Sequence, residues 1–200
     1  MGGDESSEAG QLFASSLITT DPPRHRQLRS LVTQAFTPKA VDALAPRISE
    51  LTADLLDGVA SRGSADLIEA LAYPLPVIVI SELMGIPAED RDRFKRWSDV
   101  IVSQTRTGAA TEGHQAANQE MTGYFLDLIE QRRRRPGDDL ISNLLAAEID
   151  GQKLNVAELL GFCALLLVAG NETTTNLIGN AVLCFTEVPG TIERLVREPS

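Results

Sequence analysis

The residues with the clearest chemical potential form a polar cluster inside an apolar, helix-forming segment. The cluster runs from Asn171 to Asn176 and contains one acid, three threonines and two asparagines. Apolar residues precede it from Leu165 and follow it from Leu177, and a helix that is apolar on all sides is usually buried. An unpaired buried polar group costs about 1–3 kcal/mol. Such a cluster is therefore kept only if its hydrogen bonds are satisfied or if it is used in function.

The same stretch predicts a local disturbance of the helix. The hydroxyl of Thr173 can donate to the carbonyl of Ala169, and that of Thr174 to Gly170, at the spacing that bends helices. Gly170 weakens a helix by about 1 kcal/mol relative to alanine and permits close approach of another group. Ala169, Gly170 and Thr173 share one helix face. This face of small residues either lines a cavity or forms a seam between two packed helices, and the spacing favours neither alternative.

A second chemical candidate lies on a basic helix near the amino terminus. Asp21 and the two prolines after it predict a helix over 22–36, with Asp21 as its N-cap. His25 and Arg29 are four residues apart on one face of this helix. An imidazole and a guanidinium suit carboxylates or phosphates. The alternative, a solvated basic face, is the one that the pattern alone favours.

The remaining pattern predicts a mostly helical chain, with at least eight helices, that positions these residues. The elements expected after the basic helix are helices over 38–62, 77–83, 88–103, 113–135, 140–148, 156–187 and 191–197, a short strand within 64–71, a loop over 104–112 and a small hairpin over 149–154. The expected N-caps include Thr37 and either Asp138 or Asp139. Asn155 and Glu158 match a capping box at the start of the long central helix.

Composition limits the classes of function. The 200 residues, 43% hydrophobic and 23% charged, suit one soluble globular unit or part of a larger one. The net charge of −10 argues against nucleic-acid binding. The longest apolar run, over 159–170, is shorter than the ~20 residues that span a bilayer, and the amino terminus shows no signal pattern. We therefore expect a cytoplasmic protein without nucleic-acid or membrane partners.

Several kinds of catalytic centre have no counterpart in the sequence. It contains no Gly-rich phosphate loop and no seryl nucleophile elbow. Its two histidines and two cysteines lack the spacing of a metal site, and Cys163 and Cys184 are predicted to be buried core residues. Any catalysis would therefore depend on a bound cofactor.

Three stretches together connect the chain to a known family. They are Asp-Pro-Pro-Arg-His-Arg-Gln-Leu-Arg (21–29) followed by Ala-Phe-Thr-Pro (35–38), Leu-Pro-Val-Ile-Val-Ile-Ser-Glu-Leu-Met-Gly-Ile-Pro (75–87), and Ala-Gly-Asn-Glu-Thr-Thr (169–174). In this order the chain resembles the soluble bacterial cytochrome P-450 haem-thiolate monooxygenases, at their C, E and I helices. The resemblance covers nearly the whole chain. It implies a mainly α fold, the portion from the C to the J helix of the cytochrome P-450 fold, with a long central helix and minor β structure.

The resemblance implies that haem b (heme) is the cofactor and gives individual residues roles in binding it. His25 and Arg29 would pair with the haem propionates, which displaces the solvated-face alternative. Ala169 and Gly170 would lie over the distal face of the haem, where larger side chains would clash. Thr173 would contact the same face through its hydroxyl.

The resemblance also implies the reaction, which inserts one oxygen atom of dioxygen into a small hydrophobic substrate. Thr173 would donate a hydrogen bond to the iron-bound oxygen species, and Glu172 would relay protons from solvent. Leu165 and Val168 would border the substrate pocket. Two electrons would come from a ferredoxin-type donor and its reductase.

The resemblance ends at Ser200, before the family's Glu-x-x-Arg helix and its loop with the cysteine that binds iron. The family's first strands and helices also have no counterpart, so we expect one partial domain over 1–200, an internal fragment incomplete at both ends. The ligand role is not transferred to Cys163 or Cys184, so this chain supplies no metal ligand. Without an axial ligand the isolated fragment would be inactive. The competing hypothesis is a non-catalytic helical binding or interaction module.

Overall fold

Helices account for nearly all of the regular structure. The computed structural model describes residues 16–107 and 112–198, and nine α-helices lie within these ranges. They are α1 (Arg24–Ala35), α2 (Pro38–Asp42), α3 (Ala45–Ala60), α4 (Pro74–Leu83), α5 (Arg91–Thr107), α6 (Glu112–Arg134), α7 (Leu140–Ala146), α8 (Val156–Glu187) and α9 (Thr191–Arg197). The predicted mainly α class is confirmed. Within the described ranges the β structure is one isolated antiparallel bridge, Ile149 to Gln152, where the hairpin was expected.

Side chains at the helix starts explain where three helices begin. Asn155 accepts from the backbone N–H of Glu158 at 2.9 Å, and a carboxylate oxygen of Glu158 accepts from the N–H of Asn155 at 2.9 Å. This is the predicted capping box at the start of α8. Thr37 caps α2, and Asp139 caps α7 by accepting from the N–H of Ser142 at 2.8 Å.

Two predicted features of the amino-terminal third are wrong for reasons of backbone hydrogen bonding. Asp21 is not the N-cap of α1, because the helix begins at Arg24 and Asp21 contributes only its carbonyl, which accepts from the N–H of His25 at 3.1 Å. The single helix over 38–62 is two helices, α2 and α3. Pro46 has no N–H to donate to the carbonyl of Asp42, so α2 ends at that residue.

The strand expected within 64–71 is also wrong. This region is a π-helical turn, Ile68–Ala72, in which the N–H of Tyr73 donates to the carbonyl of Ile68 at 2.9 Å. Pro74 and Pro76 begin α4, and neither can donate to the carbonyl four residues before it. The wider turn therefore forms where the α-helical donors are missing.

Other helix boundaries differ modestly from the predicted ones. α5 continues to Thr107 and α6 begins at Glu112, so the loop expected over 104–112 is wrong at 104–107 and at 112, and residues 108–111 lie outside the described residues. α7 ends at Ala146, two residues early. Most of the loop expected over 1–20 also lies outside the described residues.

The core surrounds the first half of α8, which packs against α4, α5 and α6. Its fully buried side chains include Phe94, Trp97, Met121, Phe125, Leu159, Cys163 and Leu167. The second half of α8 is different, because Leu177 is 70% exposed and Leu183 is 54% exposed. The expectation that α8 is buried along its whole length is therefore wrong after the polar cluster.

By length and composition alone, α8 passes the test for a helix that could cross a membrane, the one helix among the described residues to do so. The core helix of a soluble protein passes the same test, and 44% of its most apolar window is buried inside the molecule. This is weak evidence for a membrane span.

Candidate functional site

Gly170 lies where α4 and α8 pack closely. A Cβ at Gly170 would be 2.5 Å from Cδ1 of Ile80, which is itself 7% exposed. Heavy atoms that are not bonded do not approach so closely, so the missing side chain is what lets the two helices meet at this point. The helix-seam alternative therefore holds for Gly170.

Ala169 and Thr173 point away from this seam. Both are exposed, and the Thr173 hydroxyl donates to the carbonyl of Ala169 at 2.5 Å, as predicted. The exposed residues of α8 that share their side are Asn176, Leu177, Asn180, Leu183 and Cys184, and we call this side, with Ala169 and Thr173, the open face. The face of small residues is thus divided, with Gly170 in the seam and Ala169 and Thr173 on the open face.

Asn171, the residue after Gly170, is buried and is directed at α5. It is 2% exposed, and its amide nitrogen donates at 2.8 Å to the hydroxyl of Ser98 on α5, which is 1% exposed. The Thr175 hydroxyl donates to the carbonyl of Ala72 at 3.1 Å and lies 3.3 Å from the Asn171 side-chain oxygen. These polar members of the cluster are therefore satisfied by neighbouring elements.

Glu172 borders a cavity that lies between α5, α8 and Tyr73, the residue before α4. The cavity has a volume of about 330 Å³ and is lined by Tyr73, Asp99, Ser103, Asn171, Glu172, Thr175 and Asn176. The Tyr73 hydroxyl donates to a carboxylate oxygen of Asp99. Burial, together with this hydrogen bond, raises the pKa of Tyr73 above its usual range, so the phenol keeps its proton at neutral pH. Glu172 thus has direct access to a space large enough for several waters.

Leu165 and Val168 lie on the same side of α8 as Glu172. They are seven and four residues before it, which are spacings that place side chains on one helix face. Both are partly buried. Their predicted role as a substrate border stays a prediction.

α1 is attached to the beginning of α8 by a buried carboxylate and an aromatic contact. Arg24 donates from Nε and Nη2 to one Glu158 oxygen at 2.9 and 2.6 Å. The rings of Phe36 and Phe162 meet edge to face with centroids 6.1 Å apart. Phe162 precedes Ala169 by two helical turns and so shares its side of α8.

His25 and Arg29 lie on the flank of α1 that Phe36 also occupies, since the three are four and seven residues apart. His25 is partly buried and Arg29 is exposed, and Arg29 also borders a groove beside Arg26. Through the Phe36–Phe162 contact, this flank approaches α8 two helical turns before Ala169. That His25 and Arg29 act together with the residues of the open face stays a prediction.

Sequence reasoning missed Tyr73, Ser98 and Asp99. They stand on other elements, and Ser98 is 73 residues from its partner Asn171, so no local pattern signals their proximity. Asp99 and Tyr73 could have been found only from the helix packing itself.

The two cysteines differ in their surroundings. Cys163 is fully buried, and burial raises the pKa of its thiol to about 12, so it is unreactive at neutral pH. Cys184 is exposed on the open face, so its prediction as a core residue is wrong. In the part of the chain that the structure describes, no three His, Cys, Asp or Glu residues are grouped to hold a metal ion.

The helix order and the threonine-containing turn of α8 define a class of protein, the cytochrome P-450 fold. The structure superposes on substrate-free CYP109E1 from Bacillus megaterium with a TM-score of 0.87 and 43% sequence identity, covering 98% of this chain and 52% of that one. The family model for cytochrome P-450 matches residues 8–199. The chain therefore belongs to the cytochrome P-450 family.

Curated relatives agree with this assignment. The chain is 44% identical over 193 residues to the putative cytochrome P-450 YjiB of Bacillus subtilis, covering 94% of this chain and 49% of the relative. It is 43% identical over 185 residues to the vitamin D(3) 25-hydroxylase of Pseudonocardia autotrophica, covering 92% of this chain and 45% of the relative. The chain spans about half the length of the curated relatives it matches.

Proposed function

We propose that this chain provides the distal part of a haem-dependent monooxygenase site, which inserts one oxygen atom of dioxygen into a small organic substrate. The observation that carries the proposal is the open face of α8. There the small residue Ala169 is exposed, and its carbonyl accepts a hydrogen bond from the Thr173 hydroxyl. Family membership supports it, because a relative that is 42% identical is a cytochrome P-450 monooxygenase, PikC of Streptomyces venezuelae.

The residues present fit one side of a haem. Ala169 is small and exposed, so a flat ring can approach α8 at that point without displacing a side chain. His25 and Arg29 would hold the two propionates by charge-assisted hydrogen bonds. When bound, haem b supplies the redox chemistry that dioxygen activation requires. Neither cysteine of this chain is proposed to ligate the haem iron, and we propose that the isolated chain is inactive.

Thr173 and Glu172, which point about 100° apart around α8, would handle protons at the open face and at the cavity. The Thr173 hydroxyl donates to the carbonyl of Ala169, and rotation about χ1 would let it donate a hydrogen bond at the open face instead, with its proton staying on Oγ1. Glu172 borders the cavity and can collect a proton from water within it. A positioned general acid of this kind contributes roughly 10²–10⁴-fold to a reaction rate.

The proposed substrate is small and hydrophobic, with Leu165 and Val168 along its path. The proposed electron source is a ferredoxin-type protein with its reductase, and the proposed location is the cytoplasm. Solved relatives differ in what they hold: CYP109E1 from Bacillus megaterium has been solved with testosterone, and P-450BioI with an acyl carrier protein bearing hexadec-9Z-enoic acid. These ligands belong to those proteins.

The Thr173→Ala variant tests the catalytic role. In the haem-loaded protein, expressed with the coding sequence that follows Ser200, product formed per dioxygen consumed should fall by roughly tenfold, the effect of about 1.4 kcal/mol on one barrier. Hydrogen peroxide should rise correspondingly. Thr52→Ala is the matched control, because Thr52 makes the same hydroxyl-to-carbonyl bond, to Ile48 at 2.7 Å, on α3. Equal coupling in the two variants would remove Thr173 from the mechanism.

The alternative is a non-catalytic helical module, which the coding sequence beyond Ser200 would distinguish from the enzyme. The coding sequence beyond Ser200 should contain a Glu-x-x-Arg helix and a cysteine loop if the gene encodes the enzyme, and a stop codon there favours the module. The isolated chain should show no thiolate-type Soret band in a reduced carbon-monoxide difference spectrum. Such a band would contradict the proposed inactivity of the fragment.

A further inference from the structure

Within the polar cluster, Asn171 differs from its neighbours because its side chain is directed at another helix. Its amide nitrogen donates to Ser98 of α5 at 2.8 Å, and both side chains are almost wholly buried. Within residues 16–107 and 112–198, the next two residues, Glu172 and Thr173, make no hydrogen bond of this kind to α5. The residues with proposed proton roles therefore follow directly after the point at which α8 is attached to α5.

Thr175 attaches the same turn of α8 to the π-helical turn that precedes α4. Its hydroxyl donates at 3.1 Å to the carbonyl of Ala72. In a regular helix that carbonyl would accept from the residue four positions later, which is Pro76 and has no N–H. Thr175 therefore occupies an acceptor that the proline leaves unpaired, and breaking this contact would strand a buried carbonyl at a cost of about 1–3 kcal/mol.

The seam at Gly170 adds a contact in a neighbouring direction. Successive residues point about 100° apart around an α-helix, since a turn contains 3.6 residues. The Gly170 contact with Ile80 prevents α8 from moving towards α4, and the Asn171–Ser98 bond fixes it towards α5. Two contacts in different directions within one turn determine the rotation of the helix about its axis. That rotation decides that Glu172 borders the cavity while Thr173 lies on the open face.

We propose that Asn171 is a positioning residue that, through Ser98 and Thr175, sets the rotation of α8 for the proton-transfer pair Glu172 and Thr173. The inference rests on the proposed function for its catalytic consequence but not for its structural part. If the hydrogen bonds of Asn171 only stabilised the fold, their loss would change the free energy of unfolding without changing the amount of product formed per dioxygen consumed.

The first experiment measures amide hydrogen exchange in the 200-residue chain without haem, comparing Asn171→Leu with wild type. Leucine keeps the branched arrangement of the side-chain heavy atoms and favours helix slightly more than asparagine, so helix propensity alone predicts slower exchange. We expect instead that amides 170–176 exchange roughly tenfold faster, as about 1.4 kcal/mol of lost local stability implies. Asn143→Leu, on an exposed position of α7, is the matched control. Unchanged or slower exchange over 170–176 would overturn the inference.

The second experiment uses the haem-loaded protein. Asn171→Leu should lower product per dioxygen several-fold while the substrate KM stays within about twofold, because the substrate border is untouched. Ser98→Ala should do the same, and the double variant should be no worse than either single one, as expected for one shared bond.

An additive double variant, or intact coupling in Asn171→Leu alongside uncoupling in Thr173→Ala, overturns the positioning role and leaves the proposed function standing. If Thr173→Ala has no effect, the proposed function fails, and the exchange experiment still decides whether Asn171 sets the turn.

Discussion

Gly170 of α8 and Gly123 of α6 differ in what their absent side chains would meet. A Cβ at Gly170 would contact Ile80 at 2.5 Å, whereas a Cβ at Gly123 of α6 would meet nothing within 4 Å. Glycine in a helix interior is about 1 kcal/mol less favourable than alanine. Of these two glycines, Gly170 alone therefore has a steric reason to be retained, and that reason is helix packing.

Alanine at these two positions should have opposite consequences. Gly123→Ala should raise the free energy of unfolding by about 0.5–1 kcal/mol. Gly170→Ala should lie about 1–3 kcal/mol below Gly123→Ala, which is the usual cost of overpacking a core. Urea unfolding measures both. Adding Ile80→Val to Gly170→Ala removes the clashing methyl group and should recover part of the loss; no recovery would show that Ile80 is not the obstacle.

The residue types predicted contacts within one helix well and contacts between helices poorly. The Thr173 bond to Ala169 and the Asn155–Glu158 capping box are confirmed because both partners lie within four residues. The direction of Gly170 could not be predicted, since it depends on which helix crosses α8 and at what rotation. The sequence of α8 is apolar on several sides, so its pattern did not distinguish the buried half from the exposed half.

At the level of helices, Glu82 of α4 connects three elements. Arg47 of α3 donates to its two oxygens at 2.9 and 2.8 Å, and Arg91 of α5 donates to one of them at 2.6 Å. The hydrogen bonds from Arg47, followed by the positive charges of both arginines, hold the pKa of the Glu82 carboxyl below its usual range. The ionised form of Glu82 is therefore favoured in the folded state.

This shift makes part of the stability depend on pH. A carboxyl whose pKa is lower in the folded state stabilises the protein above its unfolded pKa of about 4.3 and loses that contribution as the pH falls through the folded value. The melting temperature should therefore fall below about pH 4.3, and less steeply in Glu82→Gln than in wild type. Glu130→Gln, which removes an exposed pair with Arg133, should leave the slope unchanged. Equal slopes in wild type and Glu82→Gln would contradict the expected linkage.

Proline explains most of the difference between predicted and observed helices. The rule that proline favours a first helical turn correctly gave the start of α2, and it also fits the starts of α3 and α4. The same residues end the preceding helical segment by withholding an N–H, which divided one predicted helix at Pro46 and produced the π-helical turn before Pro74. Local sequence patterns predict that a segment is helical. Where proline interrupts it also depends on whether the unpaired carbonyl finds another donor, as the carbonyl of Ala72 finds the hydroxyl of Thr175.

At the scale of the whole molecule, exposed large apolar residues are most frequent, among the described residues, near the carboxyl-terminal end of the chain. The exposed large apolar residues at the end of α8 and on α9 are Leu177, Leu183, Val188, Ile192, Leu195 and Val196. Soluble monomers rarely leave a large contiguous apolar patch in water. Together with the coverage of about half of its relatives, this exposure fits a surface that the rest of a cytochrome P-450 would cover.

The isolated chain should therefore associate with itself through this surface. Leu177→Lys combined with Leu183→Lys should shift the protein towards monomer, measured by light scattering after size-exclusion chromatography over a concentration series. Leu56→Lys is the matched control, because Leu56 is also exposed but lies on α3. A wild-type chain that stays monomeric at every concentration, or a control that disperses it equally, would contradict the expectation.

The attachment of α1 to α8 has a consequence for the order in which the chain folds. Arg24 and Glu158 are 134 residues apart, and Leu28 and Leu31 belong to a core that includes residues of α7 and α8. At a synthesis rate of about 5–20 residues per second, α1 would wait roughly 7–27 s on the ribosome before Glu158 is made. Contacts across so long a loop also form slowly. We therefore expect α1 to be synthesised first among the helices described and to dock among the last, which force measurements on stalled nascent chains would detect.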